Sequence, residues 1–412
     1  MIEEQYDDVT RPRLLMLTHR VPYPPDRGDR IRAYHLLAAM ADRFDVTLAS
    51  VSDGPVEPAS MKRLESMCSR VLIAEARPMH RRAAAARALL IGGAITPAAM
   101  YDHDMAQQLG RLHQREPFDT VLSYCTGMVG YAKLLLGLPR PPRHVLDLVD
   151  VDSQKWAGFA KTTRGPMRLI YQAESRRLCE VEAGRVVPFD AVTVISEAEA
   201  ARYCEHVTDR HEPIVVGNGV DMDRFKPTET TQDPVLIFTG VMSYKPNIDA
   251  AAWFARQVMP RVLAAVPDAR FDIVGKSPAH EVEALDELPG VRVVGPVDNT
   301  ADALRASAVA VAPMLIAPGV QNKVLEAMAC GLPVVCSSGA ASGIDASPGE
   351  HLLVSDAPAD CAAQCVRLLL NAGERARLGS AARQRVQQRY DWASATAPML
   401  DLLAREAPTP SA

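Results

Sequence analysis

The sequence predicts an α/β protein with two doubly wound domains, each built from a parallel sheet covered by helices. Short runs of β-branched and apolar residues alternate with longer helical patterns along most of the chain. The alternation stops once, in a turn-rich segment at residues 213–233, and then starts again. The length of 412 residues also allows two or three domains. Two such sheets predict a ligand-binding cleft between the domains, lined by the loops that follow the strands.

The first domain is predicted over residues 1–212, before the turn-rich linker. Its apolar runs predict strands at Leu14–Thr18, Val46–Val51, Val71–Ala74, Thr120–Ser123, Val145–Val149 and Ala191–Ile195. Helical spacing predicts helices at Ile31–Arg43 and near Ala59–Cys68. Strands that alternate with helices in this way are typical of a parallel sheet.

The second domain is predicted over residues 234–389. Its strands are expected at Val235–Thr239, Arg270–Val274, Val291–Val294, Val309–Ala312 and Pro333–Cys336. Its helices are expected at Ile248–Val266, Thr300–Ala306, Asn322–Ala329, Ala359–Asn371 and Glu374–Arg389. Residues 390–405 are predicted to form a C-terminal helix that crosses back to the first domain.

Composition and charge exclude several classes of protein. Hydrophobic residues make up 48% and charged residues 23%, which is typical of a globular chain. The net charge of −5 gives no overall attraction to phosphate backbones, so nucleic acid is not expected as a partner. No apolar run reaches 18 residues and the N-terminus is acidic, so we expect a cytoplasmic protein. The eight cysteines form no C-x-x-C pair, and no metal site is expected.

The most informative segment is APGVQNKVLEAMACGLPVV, residues 317–335. A helix is predicted to open near Gln321–Lys323, and a helix N-terminus offers free N–H groups and a positive dipole to a diphosphate. Lys323 lies in the first turn, where a cation is unfavourable unless an anion also binds there. Lys323 and Glu326 share one helix face, so one can reach phosphate and the other sugar hydroxyls. The alternative is an ordinary surface ion pair between the two residues.

This segment resembles the donor-site signature of family 4 glycosyltransferases, K-x-L-E-A-M-A followed by G-x-P-V-V. The matching residues are Lys323, Leu325, Glu326, Ala327, Met328, Ala329, Gly331, Pro333, Val334 and Val335. The resemblance implies a GT-B fold, in which two Rossmann-like domains face each other across a cleft. It also implies that Lys323 contacts the donor diphosphate and Glu326 the nucleotide ribose. Many relatives carry a glutamate where Pro318 stands, so sugar contacts are expected instead from Gly319, Val320, Gln321 and Asn322.

Two further segments are similar to the same family. The linker contains N-G-V-D-x-x-x-F-x-P, in which Gly219 permits a sharp turn, Asp221 caps the next turn and Phe225 is an apolar anchor. In FTGVMSYKPNIDA, residues 238–250, Gly240 ends a strand and lets a ligand approach the backbone.

In the same segment, Lys245 is either a second cation for the diphosphate or a solvated lysine, and Asn247 is expected to cap the next helix. Val241 stands where many members carry arginine. FTGVMSYKPN, GVQNKVLEAMA and LDLVDVDSQKW resemble most closely the branch associated with PEP-CTERM/exosortase exopolysaccharide systems.

The acceptor side is predicted in the first domain. Gly28 lies in a loop after the first strand and before a helix, where Asp29 and Arg32 are expected to contact an acceptor or phosphate. Asp150 and Asp152 follow another strand, where carboxylates serve as ligands or bases for an acceptor hydroxyl. Asp150 is the first candidate for the catalytic base. The alternative for this pair is that Asp152 or Ser153 caps the following helix.

Residues 77–95 combine arginines with an apolar face, and no acidic residue occurs from Arg77 to Tyr101. This pattern suits peripheral contact with an anionic membrane at the inner face of the plasma membrane. A packed amphipathic helix with a solvated basic edge is the alternative.

The resemblance implies a hexosyltransferase that moves a sugar from a nucleotide-diphosphate donor to a saccharide or lipid-linked saccharide acceptor in exopolysaccharide biosynthesis. It implies retention of configuration, no protein nucleophile, no cofactor and no metal, with Lys323 stabilising the leaving diphosphate. A D-x-D sequence at Asp150–Asp152 keeps a metal-dependent alternative open. A nucleotide-sugar epimerase and a non-catalytic nucleotide-sugar binding protein are the alternative functions.

Overall fold

The computed structural model describes residues 11–207, 211–227, 233–314 and 320–405. The chain divides into two compact units. The first unit comprises Met1–Gly217 and Thr396–Ala412, and the second unit comprises Asn218–Ala395. Each unit contains one parallel sheet, so the predicted α/β fold with two Rossmann-like domains is confirmed.

The first unit contains a seven-stranded parallel sheet in the order β3-β2-β1-β4-β5-β6-β7. Its strands are β1 (Arg13–Thr18), β2 (Asp45–Ser52), β3 (Arg70–Glu75), β4 (Thr120–Tyr124), β5 (Arg143–Val149), β6 (Ala191–Val194) and β7 (Ile214–Val215). The central strands are buried on both faces, which is why their sequences are nearly continuous apolar runs.

Helices pack on both faces of this sheet and enclose two apolar clusters. They are α1 (Gly28–Ala41), α2 (Pro58–Glu65), α3 (Pro78–Ile91), α4 (Ile95–Met100), α5 (His103–Arg115), α6 (Val129–Leu136), α7 (Asp152–Thr162), α8 (Pro166–Glu182) and α9 (Glu197–His206). Among the described residues, no helix has the length and apolarity needed to cross a bilayer.

The second unit contains a six-stranded parallel sheet in the order β10-β9-β8-β11-β12-β13. Its strands are β8 (Val235–Thr239), β9 (Arg270–Val274), β10 (Val291–Gly295), β11 (Val309–Ala312), β12 (Val334–Cys336) and β13 (Leu353–Val354). Its helices are α10 (Lys245–Trp253), α11 (Met259–Ala265), α12 (His280–Glu283), α13 (Thr300–Arg305), α14 (Asn322–Ala329), α15 (Ser338–Ala341), α16 (Pro358–Leu370) and α17 (Ala372–Arg389).

The helix predicted at Ile248–Val266 is divided in two. A π-helical turn at Phe254–Val258 separates α10 from α11. Pro260 lies at the start of α11 and has no backbone N–H to continue an α-helical hydrogen-bond ladder. The wider π turn absorbs this interruption without ending the helical path.

The final helix, α18 (Trp392–Leu403), begins in the second unit and continues into the first. Met399, Leu400 and Leu403 are buried in an apolar cluster of the first unit. The Leu403 carbonyl also accepts a hydrogen bond from Thr120 Oγ1 at 3.4 Å. The last turns of α18 are thus part of the first unit's core.

The boundary between the units falls inside the predicted linker, between Gly217 and Asn218. The linker therefore supplies β7 to the first sheet, and its later residues belong to the second unit. The predicted cap and anchor are confirmed: Asp221 Oδ1 accepts from the N–H groups of Asp223 and Arg224, and Phe225 is buried. At Gly219 the reason for glycine is contact, because a Cβ there would lie 2.4 Å from the Trp392 ring.

Candidate functional site

Lys323, Asn247 and Gly240 meet at the carboxyl end of β8. Gly240 directly follows the strand, while α10 supplies Asn247 and the first turn of α14 supplies Lys323. Lys323 Nζ donates to Asn247 Oδ1 at 2.6 Å and lies 4.3 Å from the centroid of the Phe238 ring. A Cβ at Gly240 would lie 2.7 Å from Asn247 Nδ2 and 3.2 Å from Lys323 Nζ. Glycine is required here because the two side chains pass so close to the backbone.

Burial favours the neutral forms of the two ionisable side chains at this cluster, Lys323 and Glu326. Burial lowers the pKa of Lys323 to about 7, although the charge of Glu326 opposes this shift. Burial also raises the pKa of Glu326 to about 7, against the influence of Arg224 and Lys323. Among the described residues, the Glu326 carboxylate has no hydrogen-bond partner. An anionic ligand beside Lys323 would favour its charged form and offset the cost of burial.

The first turn of α14 adds backbone donors to the same region. Gln321 is the N-cap residue, and its side chain makes no capping hydrogen bond. Asn322 Oδ1 is buried without a partner among the described residues. Val320 packs partly buried against the core of the second unit. Predicted ligand contacts of Val320, Gln321 and Asn322 stay predictions, and Gly319 lies outside the described residues.

Lys245 and Asn247 lie in the first turn of α10 in different environments. The Lys245 side chain is 70% exposed and pairs with Asp249 at 2.7 Å, one turn along α10. This geometry favours the alternative, a solvated lysine, and contact of Lys245 with a diphosphate stays a prediction. The prediction that Asn247 caps α10 is wrong, because the helix begins at Lys245 and the Asn247 amide instead donates to the Val241 carbonyl at 2.9 Å. Asn247 thereby holds Lys323 in place.

In the first unit, charged residues form a network where β1 meets α1. Asp29 Oδ2 accepts from Arg20 at 2.6 Å and lies 3.5 Å from His19 Nε2. Despite partial burial, the hydrogen bonds from His19 and Arg20 hold the pKa of Asp29 well below its usual range. Burial opposes the charged form of His19, but Cys125 and Asp29 outweigh it and raise the pKa of His19 to about 10. His19 and Cys125 were not predicted as members of this region.

Gly28 and Arg32 occupy contrasting positions at the start of α1. Gly28 is the first residue of the helix, and no atom lies within 4 Å of where its Cβ would be. Arg32, predicted to contact the acceptor, is only 1% exposed. Its guanidinium binds Asp147 at 3.1 and 3.2 Å and the Gly217 carbonyl at 3.0 Å. The structure therefore corrects the prediction: Arg32 ties α1 to β5 and to the end of the first unit.

Asp150 and Asp152 lie in the loop between β5 and α7. Asp150 is exposed at the end of the strand, and local burial together with the charges of Glu199 and Asp152 raises its pKa. Asp152 is the first residue of α7 and accepts a hydrogen bond from Thr126 Oγ1. Asp150 is thus an accessible carboxylate whose pKa is raised by its surroundings. Both properties suit a base for an acceptor hydroxyl.

The expected cap from Asp152 or Ser153 is not formed. Glu182 of α8 accepts from the Ser153 N–H at 2.8 Å, and Glu199 of α9 accepts from the Val151 N–H at 3.0 Å. Both glutamates are buried. Sequence reasoning missed them because the carboxylates come from helices that are distant in sequence from the loop.

The described residues contain no group of three or more His, Cys, Asp or Glu that could hold a metal ion. Asp150 belongs to the first unit and Lys323 to the second. Metal independence and the predicted cleft stay predictions.

Comparison with known proteins supports the resemblance for the second unit. Residues 233–371 match a family model described as glycosyl transferases group 1. A GDP-mannose-dependent monoacylated α-(1-6)-phosphatidylinositol monomannoside mannosyltransferase of Corynebacterium glutamicum is 26% identical over 234 residues, which cover 49% of this chain and 59% of that protein. The chain thus spans little more than half the length of this curated relative.

Solved structures show the same two-sheet fold over nearly the whole chain. Sucrose-phosphate synthase from Thermosynechococcus elongatus has a TM-score of 0.67 at 17% identity, covering 95% of this chain and 98% of that one. HepE from Anabaena, solved with UDP-glucose, has a TM-score of 0.63 at 13% identity, covering 95% and 99%. The GT-B fold class is therefore confirmed.

Proposed function

We propose that this protein is a retaining hexosyltransferase that moves a sugar from a nucleotide-diphosphate donor to a saccharide or lipid-linked saccharide acceptor. The observation that carries the proposal is the Lys323 amine, which is part-buried beside a neutral amide oxygen at the carboxyl end of β8. This amine lies inside the segment that matches the glycosyl transferase model. An amine held in this way gains its positive charge when an anionic ligand binds beside it.

In the proposed reaction, Lys323 and the first N–H groups of α14 stabilise the charge that develops on the leaving diphosphate. Glu326 accepts hydrogen bonds from the ribose hydroxyls. Asp150 accepts the proton of the acceptor hydroxyl. No cofactor and no metal take part in this scheme, because the lysine and the helix N-terminus supply the positive charge.

The names of similar proteins guide the choice of substrates. The curated relative uses GDP-mannose and acts on a phosphatidylinositol mannoside, and the HepE structure contains UDP-glucose. We therefore propose GDP-mannose and UDP-glucose as the first donors to test, and a lipid-linked saccharide as the acceptor. The resemblance to the PEP-CTERM branch supports a role in exopolysaccharide assembly at the inner face of the plasma membrane, with peripheral contact through residues 77–95.

The experiment compares Lys323→Gln with Lys245→Gln, a matched loss of one lysine in the same unit. Donor binding and transfer to a saccharide acceptor are measured for both variants. Lys323→Gln is expected to lose about 2–4 kcal/mol of transition-state stabilisation, while Lys245→Gln retains normal turnover. Equal effects of the two changes would contradict the site assignment. Epimerised donor without an acceptor would indicate an epimerase, and donor binding without any turnover would indicate a binding protein.

A further inference from the structure

A cavity of about 910 Å³ lies in the first unit, beside the edge strand β3. Its lining comes from β3, α3, α4 and the beginning of α5. Protein interiors contain few voids larger than a water molecule, whereas sites for small molecules measure about 300–1,000 Å³. The cavity therefore has the size of a binding site and is too large for a packing defect.

Much of the cavity wall is apolar because α3 carries small side chains. Ala83, Ala84 and Ala88 line the cavity from this helix, together with Ile91, and Met100 lies opposite on α4. Ala88 is the residue of α3 that is fully buried. Alanines cannot reach across the space between α3 and β3, so the helix leaves an apolar volume unfilled.

The α3 wall also carries cations. Arg77, His80, Arg81 and Arg87 all line the cavity. Arg81 is paired with Asp53 at 2.8 Å. Within the described part of the chain, Arg77 and Arg87 form no ion pair or hydrogen bond through their side chains. Two arginines at an apolar cavity are thus available for an anionic group.

Three acidic residues also line the cavity, and the N-terminus of α5 stabilises the negative charges of two of them. Asp102 Oδ1 accepts from the Met105 N–H at 2.8 Å, as the N-cap of that helix. Asp104 lies in its first turn, where the helix dipole favours negative charge. The third, Glu75, is exposed at the end of β3. The arginines of α3 have no comparable compensation from their own helix.

The α4 wall of the cavity is held in place by α8, and Ile91 of its lining is an exposed apolar residue. Glu174 accepts from the N–H groups of Ile95 and Thr96 at 2.7 and 2.8 Å, so it holds the first turn of α4. Leu90 and Ile91, at the end of α3, are 86% and 72% exposed. The end of α3 thus gives the cavity an exposed apolar border at Ile91, one turn after Arg87.

We propose that this cavity binds the apolar chain of an anionic amphiphile and that its phosphate binds at Arg77 or at Arg87, which lie at opposite ends of α3. The apolar wall accounts for the chain, and the unpaired guanidinium groups account for the head group. The proposal goes beyond glycosyl transfer, because binding can be measured without donor or turnover and no donor candidate lies in the first unit. A lipid-linked acceptor belongs to this chemical class, but the inference stands if the protein transfers no sugar.

The test is calorimetric titration of the full chain with decyl phosphate below its critical micelle concentration, hexyl phosphate and inorganic phosphate. If the chain enters the cavity, affinity should rise about fourfold for each additional buried methylene. Inorganic phosphate should bind far more weakly than decyl phosphate. Affinity that does not depend on chain length would overturn the proposal, as would binding to anionic vesicles without binding of monomeric decyl phosphate.

Matched variants separate cavity binding from adsorption to a basic helix. The double change Arg77→Gln/Arg87→Gln should weaken decyl phosphate binding roughly tenfold or more, while Arg82→Gln, on the same helix outside the cavity lining, should leave it unchanged. Ala84→Trp should occupy part of the cavity and weaken binding, whereas Ala86→Trp, on the exposed side, should not. Equal losses within either pair would overturn the proposal, and thermal melts confirm that each variant folds.

Discussion

Lys323 in the second unit and Arg32 in the first unit are both largely withdrawn from water, but their partners differ. Arg32 binds the Asp147 carboxylate at 3.1 Å. Thr193 Oγ1 donates a hydrogen bond to the same carboxylate at 2.9 Å. Lys323 donates to the neutral oxygen of Asn247. A buried cation paired with a carboxylate is a structural element, whereas a lysine beside a neutral amide oxygen loses its proton more easily and regains its charge when an anion binds. Arg32 therefore stabilises the fold, whereas Lys323 is a candidate to bind a substrate.

The same contrast applies to carboxylates of the first unit. Asp147 and Asp152 accept hydrogen bonds within the protein, whereas Asp150 is exposed and has no hydrogen-bond partner among the described residues. Asp150→Asn should lower transfer about 100-fold to 10,000-fold, because an amide cannot accept the acceptor's proton. Donor affinity should stay normal.

Transfer rates and donor titrations of Asp150→Asn and Asp152→Asn test this prediction. Asp152→Asn should have the smaller effect on rate. Full activity in Asp150→Asn would give this carboxylate a structural role, and an equal loss of donor affinity would place it in the donor site.

Loss of Arg32 should have the largest effect on stability. Arg32→Met leaves Asp147 buried without its cation, which should lower the free energy of unfolding by about 3–5 kcal/mol. Lys323→Met should leave stability unchanged or raise it, because the lysine is held in an unfavourable environment. Urea unfolding of both variants measures the difference. An Arg32→Met protein of normal stability but impaired acceptor binding would restore the acceptor role that the structure argues against.

The pH dependence of stability gives the sign of the Lys323 effect. Its pKa of about 7 in the folded protein lies below the usual lysine value of 10.5, so the unfolded chain binds more protons between pH 7 and pH 10.5. The contribution of this residue to stability should therefore rise with pH across that window. Lys323→Met should remove this rise, and unfolding of both proteins at pH 7, 8 and 9 measures it. Parallel pH profiles for the two proteins would show that the lysine is charged in the free protein.

A smaller effect is expected from two glycines. Gly240→Ala places a methyl group 2.7 Å from Asn247 and should displace Asn247 and Lys323, so donor affinity should fall roughly tenfold. Gly28→Ala meets no atom within 4 Å and should leave donor affinity unchanged. Titration of both variants with UDP and GDP checks the contrast. Normal nucleotide affinity in Gly240→Ala would show that this cluster does not bind the diphosphate.

The sequence predicted the framework well because buried parallel strands are continuous apolar runs. The observed bounds of β8, β9 and β11 coincide with the predicted ones, and so do those of α14. The two strands that were missed, β7 and β13, have two residues each, which is too short for a recognisable pattern. Local periodicity thus carries information about elements, but only when they extend over several residues.

Partners that come from distant elements could not be predicted in the same way. Lys323 and its hydrogen-bond partner Asn247 are 76 residues apart in the sequence, and Arg32 and Asp147 are 115 residues apart. Sequence reasoning therefore placed Arg32 with the acceptor and left Lys245 as either a second donor cation or a solvated lysine. Both assignments depended on which side chains meet after folding, and an arginine in a loop-to-helix segment has the same local pattern whether it is paired or free.

The most direct test of the account is calorimetric titration of UDP at pH 8 in two buffers with different ionisation enthalpies. Since Lys323 has a pKa of about 7 in the free protein, most of it is neutral at pH 8, and a bound diphosphate should restore its charge. The wild type and Lys245→Gln should each take up close to one proton for each UDP bound. Lys323→Gln should bind UDP much more weakly and take up no proton. Tight UDP binding without proton uptake, unchanged in Lys323→Gln, would contradict it.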